Sequence, residues 1–383
     1  MVEIPFRNIF VLQIGLYTFL NKDLYIYFTI DHQKTFPSYM GLLEKDEMIT
    51  QTHQETEQHP MVSVKIKAQE IKLIQELFRV RMTMLAINEN IRQKRFQIPI
   101  HLGLGHEAIA VAVSQSKQPQ DCLVLSHRNM HYNVANQADA NKIFDEYELQ
   151  HSGLGSGKYG SMNLIHPEQG LVYTSSILGN NLCVASGIAK ANQILEKKHQ
   201  TSPSVTIVVT GDGAMEEGAF YESLLMSKTS KVPMIVIVEN NGWSMYTQIH
   251  ERRFPIDVSG LATSMNIPYH QFSSNDVVEY ASQFSQYRLK AIEMNSPVII
   301  EVMIHTLGDY WTEEKANEPS RIINYHHGLA PKIDQIHNVL VEEGISDAAY
   351  VAWQKLSNEE RVEQQEFLDS CFEQLQSILP ESV

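Results

Sequence analysis

The chain has 383 residues, of which 43% are hydrophobic and 20% are charged, a composition typical of an ordinary globular protein. Its 45 acidic side chains outnumber the 30 basic ones and give a formal charge of −15. This charge repels nucleic acid phosphates and anionic lipid headgroups, so neither nucleic acid nor a membrane is an expected partner. Three widely spaced cysteines predict neither a disulfide framework nor a zinc cluster and favour a reducing, cytoplasmic compartment.

The first 60 residues lack sustained periodicity, and the polar stretch 51–60 is typical of a linker. We therefore interpret residues 1–60 as an N-terminal extension. Its apolar segment, residues 9–20, is too short for a membrane span and lacks the basic start of a signal peptide. Two interpretations stay open: the segment packs on the surface, or translation begins at Met61, where a more regular pattern starts.

From residue 66 to Leu85, apolar side chains recur at helical spacing and predict an amphipathic helix. Short apolar runs downstream predict buried strands at residues 122–125, 205–209, 234–238 and 298–302. Helical patterns lie between them at residues 182–195, 217–227 and 277–294. This alternation predicts an α/β domain over residues 61–335, with a doubly wound, mostly parallel sheet, followed by a helical tail over residues 336–383.

Ligands bind such sheets at the carboxyl ends of the strands, where the sequence has two unusual turns. Gly211-Asp212-Gly213 follows one predicted strand, and its glycines allow a ligand to approach the backbone closely. Asn240-Asn241-Gly242 follows the next, after 26 intervening residues, which is room for one crossover helix and a strand. Each motif alone is an ordinary turn. Together they predict a site for magnesium and a diphosphate, since Mg²⁺ takes a carboxylate together with phosphate oxygens.

The paired motifs resemble the fingerprint of thiamine diphosphate enzymes. Residues 211–224 are similar to the α subunit of the E1 component of 2-oxo acid dehydrogenases of the pyruvate, acetoin and branched-chain type. Other segments similar to that family are His101-Leu102, Gly105–Ala108 (GQEA in the family), Ser126–Arg128, Lys158–Met162, Ser175–Gly179, Asn275–Val277 and Ser296–Glu301. The resemblance covers about residues 66–305 and implies the thiamine diphosphate-binding fold, with thiamine diphosphate and Mg²⁺ as cofactors.

The resemblance also implies roles for individual residues. The metal would be bound by the side chains of Asp212 and Asn241 and by the carbonyl of Trp243, and the diphosphate by the amides of Gly213 and Ala214, by His127 and by Arg128. The backbone at Ser176 and Leu178 would bind the aminopyrimidine. An arginine presents a planar fork of donors to phosphate oxygens, which suits Arg128 as a clamp; its alternative is a surface salt bridge.

Two loops depart from the family pattern. Met130 stands where the family has a histidine after its His-Arg pair, so His131 either takes over by a one-residue shift or is an ordinary wall residue. After Glu301 the family has a Tyr-Arg and then a Gly-His, and neither is present here in register. His305 either approaches the cofactor from an altered angle or is a satisfied strand-end histidine. His131 and His305 are the candidate catalytic residues.

In this family the glutamate that activates the cofactor lies on a second α/β domain, and the segments flanking residues 66–305 are too short to form one. We therefore expect a β subunit in an α2β2 assembly and an isolated chain that is inactive. The expected reaction is decarboxylation of a 2-oxo acid with transfer of the acyl or aldehyde fragment, for example to a lipoyl acyltransferase. The alternatives are a non-catalytic or regulatory paralogue and half of a split transketolase-like enzyme.

Overall fold

The computed structural model describes residues 68–245, 247–307 and 346–379. The predictions for residues 1–60 and for a start at Met61 lie outside the described residues. Among the helices of the described part, none is both long and apolar enough to cross a membrane.

Eight strands are present in the described residues. They are β1 Cys122–Ser126, β2 Leu171–Ser175, β3 Thr206–Gly211, β4 Met234–Asn240, β5 Trp243–Ser244, β6 Thr247–Gln248, β7 Tyr269–Phe272 and β8 Pro297–Met303. Six of them form one sheet in the order β2-β1-β3-β4-β8-β7, and every neighbouring pair in it is parallel. The remaining two, β5 and β6, form a short antiparallel pair.

Helices connect and flank these strands. They are α1 Ala68–Arg92, α2 Glu107–Ser116, α3 Met130–Ala135, α4 Ala140–Tyr147, α5 Asn180–His199, α6 Gly218–Ser230, α7 Ile249–Arg252, α8 Val258–Ser264, α9 Val277–Met294, α10 Ala348–Gln354 and α11 Asn358–Leu375. Within residues 346–379 the predicted helical tail consists of two helices, α10 and α11. The second begins at a capping box, in which the side chains of Ser357 and Glu360 satisfy each other's backbone amides.

The four predicted strands are confirmed as β1, β3, β4 and β8, whereas the sequence pattern does not predict β2 and β7 of the six-stranded sheet or the two-residue strands β5 and β6. Strands β2 and β7 lie at the two edges of the six-stranded sheet. In β7 only Phe272 is fully buried, and His270 and Gln271 interrupt the apolar pattern. Edge strands bury less of their surface than central ones, so they lack the continuous apolar run that marks a buried strand.

Successive side chains of the central strands enter two separate apolar clusters. In β4, Ile235 and Ile237 belong to one cluster and Val236 and Val238 to the other, as the two-residue period of a strand requires. Helices α1, α2 and α9 cover the first face, while α5, α6 and α8 cover the second. Helices on both faces of a parallel sheet confirm the doubly wound prediction.

The strand order reverses direction between β1 and β3. From β1 the chain continues to β2 on one side and then returns past β1 to β3 on the other side. In doubly wound sheets this reversal opens a crevice at the carboxyl ends of the two strands, where ligands bind. The loops that follow β1 and β3 begin at His127 and Asp212 and border this crevice.

A buried charge network fastens the C-terminal helices to this domain. Arg81 of α1 lies 2.5 Å from Glu107 Oε1 and 2.6 Å from Asp347 Oδ1, and all three side chains are at most 1% exposed. Asp347 also caps α10 by accepting the amide of Ala349. One guanidinium therefore links α1, α2 and the start of the tail.

Candidate functional site

The two sequence motifs meet at neighbouring strand ends. Gly211, the last residue of β3, pairs in register with Glu239 of β4, so Asp212 leaves the sheet beside Asn240, the last residue of β4. The loops also touch, because a Cβ atom built on Gly213 would lie 2.7 Å from Ser244 Oγ. The predicted juxtaposition of these loops is thus observed in the structure.

Asp212 is buried, with 1% of its surface exposed. Its Oδ2 accepts a hydrogen bond from Arg252 Nη2 at 2.7 Å. Burial raises the pKa of the Asp212 carboxyl, because low polarity disfavours the charged form, while Arg252 acts in the opposite direction. Arg252, on α7, also forms an ion pair with Glu216. No sequence motif marks this arginine, which compensates the negative charge of Asp212 and Glu216.

The atoms at these strand ends that could bind a metal are oxygens. Asn241 Oδ1 accepts the amide of Trp243 at 3.0 Å, which bends the loop after β4 into an Asx turn. The carboxylate of Asp212, the amide oxygen of Asn241 and the carbonyl of Trp243 form a donor set of the kind that hard cations such as Mg²⁺ select. The residues present therefore fit the predicted metal.

The loop after β1 packs against residues 101–102. Arg128 is 7% exposed and donates from Nη1 to the carbonyl of Leu102. A guanidinium has five N–H donors, so this bond is compatible with a phosphate contact. His127 packs edge-to-face on His101, with ring centroids 4.9 Å apart. Burial, together with Arg128 and His101, lowers the pKa of His127 to about 3, so its imidazole is neutral at pH 7.

The loop after β2 lies near the turn that follows β3. Gly179 adopts a φ of +76°, and a Cβ atom built on it would lie 3.0 Å from the Cβ of Glu217. Ser176 and Leu178 precede this glycine and are exposed. Their position at the carboxyl end of β2, beside β1, is compatible with backbone contacts to a ligand in the crevice. The aminopyrimidine role of these two residues stays a prediction.

His131 lies on α3 and is fully buried. Its Nε2 is 3.5 Å from Oε1 of Glu239, and burial lowers the pKa of the imidazole. Burial also raises the pKa of Glu239, but His106 and His131 lower it by more, so the pKa of this carboxyl is lowered overall and it is ionised. His131 thus contacts a buried carboxylate, and its catalytic role stays a prediction.

His305 is exposed, and its Nδ1 accepts the amide of Ser346 at 3.4 Å. The side chain therefore contacts the start of the C-terminal segment. Its neighbour Thr306 reaches the β4 loop instead, since its Oγ1 lies 2.9 Å from Asn241 Nδ2. It also lies 2.8 Å from Nε2 of His106. In the loop after β8, Thr306 rather than His305 contacts Asn241, a predicted metal ligand.

No sequence motif assigns a role to Glu239, His106 or Thr306. The sequence offers one signal for Glu239, because this residue directly follows the apolar run 234–238. In the structure it is only 5% exposed. A carboxylate at the end of a buried strand needs a partner. A second signal was His106, which occupies the glutamine position of the family's GQEA motif.

Replacing Gly103 by alanine should destabilise the protein, because the new Cβ would lie 2.2 Å from Nδ1 of the buried His131. We expect a loss of about 1–3 kcal/mol in the free energy of unfolding, the usual cost of overpacking. Denaturant unfolding of Gly103→Ala measures it. The matched control is Gly187→Ala in α5, where nothing lies within 4 Å; there the helix should gain about 0.5–1 kcal/mol. Equal stabilities of the two variants would contradict the packing described for His131.

The fold and the strand-end loops define a doubly wound α/β protein whose strand order reverses between β1 and β3. Transketolase from Campylobacter jejuni shares this fold, with a TM-score of 0.50 and 16% sequence identity. The match covers 79% of this chain and 48% of that one, so this chain spans about half the length of the transketolase. The predicted thiamine diphosphate-binding fold is confirmed.

The family model "Dehydrogenase E1 component" matches residues 76–364, and the chain belongs to that family. The α subunit of the pyruvate dehydrogenase E1 component from Rhizobium meliloti is 26% identical over 64% of this chain and 69% of its own length. The α subunit of acetoin:2,6-dichlorophenolindophenol oxidoreductase from Bacillus subtilis is 26% identical over 57% of this chain and 66% of its own. The resemblance to E1 α subunits is confirmed.

Proposed function

We propose that this chain is the α subunit of a thiamine diphosphate-dependent enzyme that decarboxylates a 2-oxo acid. The observation that carries the proposal is the meeting of the Asp212 and Asn241 loops at adjacent strand ends, in a chain of the dehydrogenase E1 family. Two relatives named α subunits, one of pyruvate dehydrogenase E1 and one of an acetoin oxidoreductase, support it.

Under this proposal the chain holds the diphosphate end of the cofactor. Asp212, Asn241 and the carbonyl of Trp243 bind Mg²⁺, and the amides of Gly213 and Ala214 face the diphosphate. Since the chain carries a formal charge of −15, an anionic cofactor needs such local positive groups to be captured. Arg128 and the neutral imidazole of His127 supply further hydrogen-bond donors on the β1 side of the crevice.

The pyrimidine end is shared between this chain and a second one. Ser176 and Leu178 bind the aminopyrimidine through their backbone, and a β subunit in an α2β2 assembly supplies the activating glutamate. When bound, thiamine diphosphate supplies the electron sink that decarboxylation of a 2-oxo acid requires. The acyl or aldehyde fragment then passes to an acceptor such as a lipoyl acyltransferase. A reducing, cytoplasmic compartment is proposed from the cysteine usage.

Titration of thiamine diphosphate with Mg²⁺ tests the proposal, against the chain alone and against the chain with a β-subunit-like partner. Turnover of 2-oxo acids is followed with an artificial electron acceptor. We expect turnover only in the presence of the partner. Strong turnover by the isolated chain would contradict the subunit assignment, and turnover of ketose phosphates instead would favour the split transketolase-like alternative.

A non-catalytic paralogue is the second candidate. Two observations favour it: His131 is fully buried against Glu239, and His305 bonds to the amide of Ser346. His131 is therefore shielded from solvent, and Nδ1 of His305 is engaged by the start of the C-terminal segment. Absence of cofactor binding with and without the partner, or binding without turnover of any 2-oxo acid, would support this candidate.

A further inference from the structure

A glycine-rich loop after α4, residues 149–160, folds around one buried carboxylate. Glu146, near the end of α4, is 0% exposed, and its side chain accepts four backbone amides. Oε2 accepts those of Gly155 and Gly157 and Oε1 those of Tyr159 and Gly160, at 2.7–3.1 Å. Concave sets of backbone amides of this kind bind anions, so the protein's own carboxylate occupies the position of the anion and fixes the loop.

The loop closes tightly over the helix, which only glycine allows. A Cβ atom built on Gly153 would lie 2.6 Å from the backbone nitrogen of Glu146, and one built on Gly157 would lie 2.4 Å from the carbonyl oxygen of Leu149. Gly157 also has a φ of +73°, in the left-handed region that favours glycine. The sequence of the loop therefore matches the shape that Glu146 imposes.

The far end of this loop reaches the turn that follows β1. Ser161, which follows Gly160 directly, is 6% exposed. Its carbonyl accepts a hydrogen bond from Asn129 Nδ2 at 3.0 Å, and its hydroxyl donates to the carbonyl of Pro99. One residue therefore joins the loop to two segments, the turn after β1 and residues 99–102.

Both of these segments contact Arg128. Asn129 is the next residue along the chain and is fully buried, and its Nδ2 also donates to the carbonyl of His127 at 3.1 Å. Asn129 therefore fixes the backbone on both sides of Arg128. In the other segment the carbonyl of Leu102 accepts a hydrogen bond from Nη1 of Arg128, which orients the guanidinium. The two hydrogen bonds of Ser161 thus lead to the backbone and to the guanidinium of the same arginine.

We propose that Glu146 is a positioning residue for the diphosphate, because it fixes the loop and Ser161 and thereby sets the position of Arg128. The inference rests on the proposed function, which assigns Arg128 to the diphosphate, and it adds a residue outside those assigned to the cofactor and the metal. An arginine that is already held in place loses less conformational freedom when it binds a phosphate, so binding is tighter. Without the carboxylate, four amides lose their acceptor and the loop no longer holds Ser161.

A double-mutant cycle tests this coupling on the full chain with its partner, with thiamine diphosphate and Mg²⁺ as the probe in isothermal titration calorimetry. Glu146→Gln keeps the shape of the side chain but replaces one acceptor oxygen by a donor, so binding should weaken by about 10-fold. Arg128→Gln should weaken it by about 10–100-fold, the effect of losing a charge-assisted hydrogen bond. Since Glu146 acts through Arg128, adding Glu146→Gln to Arg128→Gln should weaken binding by less than about 2-fold more.

Glu148→Gln is the matched control. Glu148 lies two residues further along the chain, and its side chain is 23% exposed and pairs with Arg95 instead of the loop, so the affinity should stay within about 2-fold of the wild type. Ser161→Ala keeps Glu146 and removes one of the two contacts at the end of the loop. It should weaken binding by a smaller factor that also depends on Arg128, and it decides the question if Glu146→Gln does not fold.

The outcomes separate the positioning role from the proposed function. If Glu146→Gln or Ser161→Ala binds thiamine diphosphate as tightly as the wild type, or if its loss multiplies with that of Arg128→Gln, the positioning role is wrong while the proposed function stands. If Arg128→Gln binds as tightly as the wild type, Arg128 is not a diphosphate ligand and the inference fails with that assignment alone. If the wild type with its partner does not bind thiamine diphosphate, both the inference and the proposed function are wrong.

Discussion

Asp212→Asn should weaken binding of thiamine diphosphate in the presence of Mg²⁺ by more than about 100-fold, beyond the range of substitutions that only orient a ligand. The neutral amide has no net charge to offer a divalent cation, and the nearby guanidinium of Arg252 would lose its buried partner at 2.7 Å. Isothermal titration calorimetry on the chain with its partner measures the effect.

The matched control for this variant is Asp369→Asn, on the exposed face of α11, which should leave the affinity unchanged. Circular dichroism spectra of the two variants establish whether the fold is intact. An affinity of Asp212→Asn within a few-fold of the wild type would mean that this carboxylate does not bind the metal, and it would remove the main support for the site.

Arg81→Leu should destabilise the protein by about 3–5 kcal/mol, the usual cost of removing one partner from a buried ion pair. Glu107 and Asp347 would then be two uncompensated carboxylates, each at most 1% exposed. Leucine cannot donate hydrogen bonds to either of them. Chemical unfolding, monitored by circular dichroism, gives the free energy difference, and we expect limited proteolysis to cleave the C-terminal helices more readily.

Arg92→Leu is the control in the same helix. The Arg92 side chain is 32% exposed and lies 3.8 Å from Glu89, so its removal should change stability by no more than about 0.5 kcal/mol. A loss of less than about 1 kcal/mol for Arg81→Leu would show that the buried network contributes little and that other contacts hold the tail.

The sequence predicts those elements of the fold that have a distinctive local pattern of residues. Central strands such as β3 and β4 are continuous β-branched runs, and their burial on both faces makes the pattern unambiguous. Edge strands β2 and β7 are half-buried and mixed in composition, so neither periodicity nor propensity separates them from loops. The break between α10 and α11 depends on a single capping box, a four-residue signal that the apolar periodicity of the segment does not reveal.

The candidate site likewise contains residues that the sequence predicts and residues that it does not. Gly211-Asp212-Gly213 and Asn240-Asn241 each form a compact turn, so their chemistry could be inferred from short motifs. The network around Glu239 could not, because its members are distant along the chain. His106 and Thr306 are separated by 200 positions and Thr306 and Asn241 by 65. Only the folded chain brings such groups together.

The two candidate catalytic histidines show that the position of a residue in a motif does not fix what its side chain contacts. Met130 and His131 are neighbours on the short helix α3, and both are buried. A one-residue shift along a helix turns a side chain by roughly a quarter of a turn, so a sequence alignment alone does not decide which residue would reach a substrate. His305 and Thr306 show the same problem, since Thr306 contacts Asn241 in the loop after β4 and His305 contacts Ser346.

The central claim is that the carboxyl ends of β3 and β4 bind the metal and diphosphate of thiamine diphosphate. A crystal structure of the chain with its partner, thiamine diphosphate and Mn²⁺ tests it most directly, because anomalous scattering locates the ion. We predict an ion about 2.1 Å from the oxygens of Asp212, Asn241 and the Trp243 carbonyl, with the diphosphate on the amides of Gly213 and Ala214. An ion bound instead among His106, His131 and Glu239, or a cofactor without contact to residues 211–214, would contradict the claim.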